Sequence, residues 1–135
     1  MSDRSESGRT LPPKVKIDSC SLGSSRYIYQ GKRWEIATLL KAVKDQGCKP
    51  FDLPLAGIPM GYLPFQVRHV DDFIFQMERV NRTDLQYPII LDNFGYVADG
   101  WHRIVKAVIE GRRTIKAYRI LDMPEHDSLD PDYEK

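Results

Sequence analysis

The sequence predicts one α/β domain of the α+β kind, in which helices pack on a small mixed sheet. Three observations predict this fold class. The chain has 135 residues, which fits a single domain, and 41% of them are hydrophobic, which is enough for a core. Short strand-like runs also alternate with stretches of helical periodicity. We expect a disordered segment at 1–14, the domain at 15–122 and an acidic flexible tail at 123–135.

The first half of the domain predicts a hairpin, a helix and an extended segment. Residues 26–36, RYIYQGKRWEI, are typical of a hairpin that turns at Gln30-Gly31. A helix of about 12 residues should follow and end near Gly47, because one apolar set recurs at helical spacing: Trp34, Ala37, Leu40 and Val43. Residues 51–60 contain two prolines, which favours an edge strand or an extended segment.

The second half predicts a helix, a strand-turn-strand unit, a helix and a strand. A helix should begin at Asp71 or Asp72, either of which could cap it, with a buried stripe of Phe73, Ile74, Met77 and Val80. Residues 87–91 and 96–98 predict two strands around a turn at 92–95. The third helix should span 101–110, and the last strand 114–120. That strand should point Ile115 and Ala117 to one side, and Tyr118 and Ile120 to the other.

Charge and cysteine content limit the classes of protein to which this chain could belong. The 20 basic and 19 acidic residues nearly cancel, whereas a dedicated nucleic-acid-binding protein is usually far more basic. Cys20 and Cys48 have no CxxC spacing, so we expect free thiols in a reducing compartment. The polar start does not predict a signal peptide, and no run approaches the ~18 apolar residues of a membrane helix. We therefore expect a soluble cytoplasmic protein that does not contact membranes.

The start of the third helix is the strongest candidate site. Residues 98–103 read ADGWHR, so two basic side chains lie where the helix dipole already places positive charge. An anion in front of the helix would stabilise this arrangement. Arg103 could form two hydrogen bonds with a phosphate, His102 could donate another or act as acid or base, and Gly100 would let a ligand approach. Asp99 would cap the helix, hold a metal or pair with the arginine.

A purely structural interpretation stays open for the same residues. Asp99 would then only cap the helix, His102 would be a surface residue, and Arg103 would pair with an acidic neighbour. Trp101 could stack on a base, although its place on the apolar stripe favours core packing.

Three other groupings have both a functional and a structural interpretation. Asp92 and Asp99 could bind Mg²⁺ beside a phosphate, or serve as turn and cap residues. His69, Asp71 and Asp72 could suggest a metal site, but three ligands within four residues rarely meet at one ion. A basic cluster (Arg112, Arg113, Lys116 and Arg119) could contact DNA phosphates or form a solvated face.

The stretch PIILDNFGYVADGWHRIVKAVIEGRRTIKAYRI resembles the core of the ParB/sulfiredoxin superfamily, as found in free-standing ParB-like domains. That family has a strand, a glycine, two variable residues, an arginine and a helix. ParB proteins read G-E-R-R and sulfiredoxins G-C-H-R, where this chain reads Gly100-Trp101-His102-Arg103. The upstream stretch PFQVRHVDDFIFQMERV is similar to the ParB pattern Q-x-R before an acid-capped helix. There, Gln66 and Arg68 match a nucleotide-facing loop.

The resemblance implies a nucleotide, ATP or CTP, with its phosphates on the helix start at Gly100, His102 and Arg103, and with Arg68 as a further contact. Trp101 stands where sulfiredoxins carry their catalytic cysteine, so sulfinic-acid reduction is not expected. The later arginine motif and the helix-turn-helix domain of ParB proteins have no counterpart in the sequence.

Three hypotheses follow from these observations. The first is nucleotide binding, with hydrolysis or phosphoryl transfer as a further step in which Mg²⁺ clamps the phosphates and Asp99 or His102 moves the proton. The second is a metal-dependent nuclease or DNA-binding module that uses the same pocket. The third is an interaction protein that keeps the fold without the chemistry and binds a protein partner.

Overall fold

The computed structural model describes residues 10–17 and 26–131. Within these residues there are seven strands, three α-helices and a short 3-10 helix at Leu55–Gly57. The α-helices are α1 (Ile36–Asp45), α2 (Val70–Arg82) and α3 (Trp101–Ile109). The strands are β1 (Arg26–Tyr29), β2 (Lys32–Glu35), β3 (Phe51–Pro54), β4 (Ile89–Leu91), β5 (Val97–Asp99), β6 (Thr114–Arg119) and β7 (Ser128–Leu129). Cys20 and residues 1–9 of the predicted disordered segment lie outside the described residues.

The predicted α+β class is confirmed, with two sheets in place of one. The larger sheet has the order β3-β6-β4-β5, in which β4 and β6 run parallel and the other pairs antiparallel. The smaller sheet has the order β1-β2-β7 and is antiparallel. The β1–β2 turn lies at Gln30 and Gly31, as predicted. Both residues have positive φ angles, 51° and 80°, which suit the tight turns of two-residue hairpins.

The core lies on both faces of the larger sheet, because successive strand residues point to opposite faces. On one face, Ile115 and Ala117 of β6 pack with Ile104 and Ala107 of α3. On the other face, Ile120 packs with residues of α1 and the first hairpin, including Leu39, Ala42, Val43 and Trp34. The predicted division of the last strand between two faces is therefore confirmed.

The predicted buried faces of the first two helices are partly wrong. In α1 the buried residues are Leu39, Ala42 and Val43, whereas Leu40 is 51% exposed. Trp34, predicted on that helix, is buried from β2. In α2, Phe73 and Ile74 are 52% and 41% exposed. The predicted burial of Val80 is confirmed, but the helix buries it together with Asp72 and Gln76, because its inner face contacts polar groups as well as the core.

Residues 123–131 of the predicted acidic tail contact the first hairpin and α1, and 132–135 lie outside the described residues. The Trp34 indole donates to the Pro124 carbonyl at 2.8 Å. Asp127 accepts from the Glu35 backbone N–H and from the Thr38 hydroxyl, at 2.8 and 2.9 Å. β7 also pairs with β2. The Asp127 carboxylate thus satisfies donors at the start of α1, and the flexibility of the tail stays a prediction.

Candidate functional site

The start of α3 is shaped by Gly100, which joins β5 to the helix. Its φ angle is 121°, a conformation that L-amino acids with side chains rarely adopt. A Cβ atom here would lie 2.4 Å from Cγ2 of Ile89 and 2.7 Å from its Cβ. Gly100 is therefore required for the turn and for close packing on β4. The backbone approach of a ligand at Gly100 stays a prediction.

The positive charge at the start of α3 has a partner within the protein. Arg103 Nη2 lies 2.8 Å from Asp99 Oδ2, with 15% and 25% of the two side chains exposed. Arg103 Nη1 also donates to the Tyr87 carbonyl at 3.4 Å. Gly100 occupies the cap position without a side-chain cap bond, so the expectation that Asp99 caps the helix is wrong. Asp99 instead pairs with Arg103, which was the other structural interpretation.

His102 is enclosed by two other elements and is not the surface residue of the structural interpretation. Its Nε2 donates to Gln76 Oε1 of α2 at 2.8 Å, since an amide oxygen can only accept. The Phe65 ring stacks on the imidazole with 4.4 Å between centroids. Burial, together with the positive charges of Arg79 and Arg103, lowers the pKa of His102 to about 4. The imidazole is therefore neutral at physiological pH.

A loop at residues 60–69, hereafter the 60–69 loop, lies against the first turn of α3. Phe65 contacts His102, and Tyr62 meets Trp101 edge to face with 5.5 Å between ring centroids. Trp101 is partly buried and also packs against the core. The loop and the helix start, far apart in sequence, therefore form one continuous site.

Arg68 connects the 60–69 loop to α2. Its Nε lies 3.3 Å from Asp72 Oδ2, and its guanidinium is largely exposed. The same carboxylate oxygen accepts from the backbone N–H groups of Arg68 and His69, at 2.9 and 3.3 Å. Hydrogen bonds from Arg68 lower the pKa of Asp72. Asp72 thus satisfies free donors at the start of α2, as predicted, although from inside the first turn rather than from the residue before it.

The carboxylates predicted to hold a metal have other partners. Asp92 is 1% exposed and accepts from the backbone N–H groups of Phe94 and Tyr96 and from the Tyr27 hydroxyl, at 2.9, 2.9 and 2.7 Å. Asp99 accepts from Arg103. Across residues 10–17 and 26–131, no three histidine, cysteine or acidic side chains gather as a metal site would require. Mg²⁺ at Asp99 stays a prediction.

Three residues of the basic cluster after α3 each contact a different part of the protein. Arg112 pairs with Glu110 at 3.1 Å, and Lys116 with Asp52 at 2.8 Å. Arg119 donates to the Asn93 carbonyl at 2.8 Å. These contacts favour the solvated face over a shared anion site.

Four side chains of the site were not predicted: Tyr62, Phe65, Gln76 and Arg79. Phe65 lies in a stretch without periodicity, so no pattern singled it out. Gln76 carried a detectable signal, because Asp72, Gln76 and Val80 recur at four-residue spacing on one helical face. Two polar residues in such a stripe indicate a buried polar contact to another element.

Comparisons with protein-family models, with curated proteins and with solved structures gave no match to this chain. In the part of the chain that the structure describes, no helix has the length and apolar character to cross a membrane. The likeness to the ParB/sulfiredoxin superfamily accordingly depends on the motifs quoted above.

Proposed function

We propose that this protein binds the phosphates of a nucleotide, ATP or CTP, between the 60–69 loop and the first turn of α3. One observation carries the proposal: Phe65 stacks on His102, 4.4 Å between centroids. This contact brings together the two segments with ParB-like motifs, so Arg68 and the Gly100–Arg103 turn belong to the same region of the surface.

The charges around His102 support an anionic ligand. Burial lowers the pKa of His102 most, and the positive charges of Arg79 and Arg103 lower it further. Asp99 offsets part of the charge of Arg103. A phosphate would add negative charge to this region and would accept hydrogen bonds from the helix start. The edge-to-face pair of Tyr62 and Trp101 supplies aromatic surface for the nucleobase.

Binding has more support than turnover. A general base works best when its pKa lies near the working pH, whereas the pKa of His102 is lowered to about 4. Its Nε2 is also occupied by Gln76. Asp99, the other predicted proton acceptor, holds Arg103. Hydrolysis or phosphoryl transfer would require these contacts to be released.

In this proposal a magnesium ion would be held mainly by the phosphate oxygens of the nucleotide. To ligate it directly, Asp99 would have to exchange its 2.8 Å contact with Arg103 for the metal. The nuclease alternative needs a metal held by several protein ligands, and the carboxylates predicted for it, Asp92 and Asp99, are each engaged elsewhere. DNA binding and binding of a protein partner are the outcomes to consider if nucleotides do not bind.

Two arginines on α2 provide a matched test. Arg79 acts on His102, whereas Arg82, one turn further along, is exposed and pairs with Glu78. We expect Arg79→Gln to weaken ATP or CTP binding about tenfold, the scale of one hydrogen bond or contact to a charged group. Arg82→Gln changes the net charge equally and should bind like the wild type. Titration with tryptophan fluorescence would measure both affinities, because Trp101 lies at the site.

Equal affinities of the Arg79→Gln and Arg82→Gln proteins would contradict the placement of the phosphates. An NMR titration gives an independent check. Bound phosphate should raise the pKa of His102 above its value in the free protein, since a nearby negative charge favours the imidazolium. An unchanged pKa in the presence of saturating nucleotide would argue against phosphate at this position.

A further inference from the structure

Three aromatic side chains, two exposed and one half-buried, form a group at the opposite end of β5 from the α3 site. We call Tyr29, Phe94 and Tyr96 the aromatic patch. Tyr29 ends β1, and the other two flank Gly95 in the β4–β5 turn. The three ring centroids are 6.0 to 6.1 Å apart, with planes inclined by 42° to 50°. Phe94 is 62% exposed and Tyr96 53%, although folding normally removes such rings from water.

The buried carboxylate of Asp92 fixes the turn that carries the patch. Asp92 accepts from the backbone N–H groups of Phe94 and Tyr96, both at 2.9 Å. It also accepts from the Tyr27 hydroxyl at 2.7 Å, which ties the first hairpin to the turn. Tyr27 in turn stacks on Tyr29, with ring planes 5° apart. The backbone that carries the rings is therefore fixed before a ligand binds, which reduces the conformational entropy lost on binding.

Two cations flank the aromatic patch. Lys32 is the cross-strand partner of Tyr29, so both side chains leave the hairpin on the same face. Arg119 donates to the carbonyl of Asn93, next to Phe94, at 2.8 Å. Among the described residues, neither cation forms an ion pair. The carboxylate beneath the patch, Asp92, is 1% exposed and occupied by its three donors.

We propose that the aromatic patch binds single-stranded nucleic acid, with bases stacked on its rings and phosphates at Lys32 and Arg119. Every base offers a π-face, so such stacking tolerates any sequence. Cations without a carboxylate partner favour a phosphate backbone over an uncharged apolar segment such as a proline-rich peptide. The net charge of +1 limits the charged contacts to this local group.

Fluorescence anisotropy with labelled oligo-dT and oligo-U of about 12 nucleotides would test the proposal on the full chain. We expect saturable binding that weakens about sevenfold between about 50 and 200 mM salt, if two phosphates are contacted. Phe94→Ala and Tyr96→Ala should each weaken binding about tenfold, the scale of one lost base stack. Phe73→Ala is the matched control, because it removes an exposed ring on α2. It should bind like the wild type.

Charge variants complete the test. Lys32→Gln should weaken binding and flatten the salt dependence, whereas Lys44→Gln, an exposed lysine on α1, should do neither. Arg79→Gln, at the α3 site, should leave oligonucleotide binding unchanged. If the Arg79→Gln protein loses oligonucleotide binding, the nucleic acid binds at α3 and the proposal is overturned. The proposal also fails if the wild type shows no saturable binding at low salt. Equal losses in Phe94→Ala and Phe73→Ala, or binding of a proline-rich peptide in place of the oligonucleotides, would overturn it as well.

Discussion

Gly100 precedes α3 in a left-handed backbone conformation. Ile89 of β4 leaves no room for a side chain on its Cα. We predict that Gly100→Ala lowers the free energy of unfolding by about 3 kcal/mol or more, because backbone strain adds to a clash with Ile89. Urea unfolding would measure the loss.

Gly111 is the control for this prediction. It follows α3 with a φ angle of 77°, and a Cβ atom added there would meet no atom of the surrounding structure within 4 Å. Gly111→Ala should therefore lose only about 1 kcal/mol, the cost of the left-handed conformation alone. Equal losses at the two glycines would contradict the packing role of Gly100.

The burial of His102 predicts a pH dependence of stability. In the unfolded chain the imidazole takes up a proton near pH 6.5, whereas in the folded protein its pKa is lowered to about 4. The unfolded state therefore binds more protons as the pH falls from about 6.5 to 4, which removes up to about 3 kcal/mol of stability. Above about 6.5 this contribution is fully present.

A His102→Gln variant separates this effect from the carboxylates, which titrate in both proteins. Its free energy of unfolding should fall less steeply than that of the wild type between pH 6.5 and about 4. Parallel pH profiles for the two proteins, or titration of the imidazole near 6.5 by NMR, would contradict the assigned environment of His102.

At the scale of the elements, the C-terminal stretch 123–131 completes the small sheet and the start of α1. We predict that truncation after Asp122 lowers the free energy of unfolding by about 2–4 kcal/mol, at about 1 kcal/mol for each net hydrogen bond. The lost bonds include Trp34 to Pro124, Asp127 N–H to Arg33 and Asp130 N–H to Gly31. Truncation after Pro131 is the control and should retain them. Equal stability of the two truncated proteins and the full chain would mean that the stretch does not contribute.

The elements also show which sequence patterns are informative. In β6, alternation identified both faces correctly, because each residue's side of a strand is fixed by geometry. In α2, apolar spacing pointed to Phe73 and Ile74, but the helix buries Asp72 and Gln76. Helical periodicity predicts which face of a helix is the most hydrophobic. A polar contact to another element, such as Gln76 to His102, can cause a different face to be buried.

For the whole molecule, the position of the candidate site was predictable, but its internal pairing was not. The residue types at 99–103 indicated a charged helix start. Whether Arg103 faces a ligand or Asp99 depends on side-chain geometry that spacing does not determine. Contacts from Phe65 and Gln76 required the tertiary fold, because they come from two other segments.

For the protein as a whole, we propose that the domain binds a nucleotide. The most direct measurement is the thermal midpoint of the wild type with ATP, CTP, ADP and GTP, each with and without Mg²⁺. A ligand at about 100 times its dissociation constant stabilises the folded state by about 2.7 kcal/mol, which is several degrees for a domain of this size. We predict such a shift with ATP or CTP. Unchanged midpoints with all four nucleotides would contradict the proposed function.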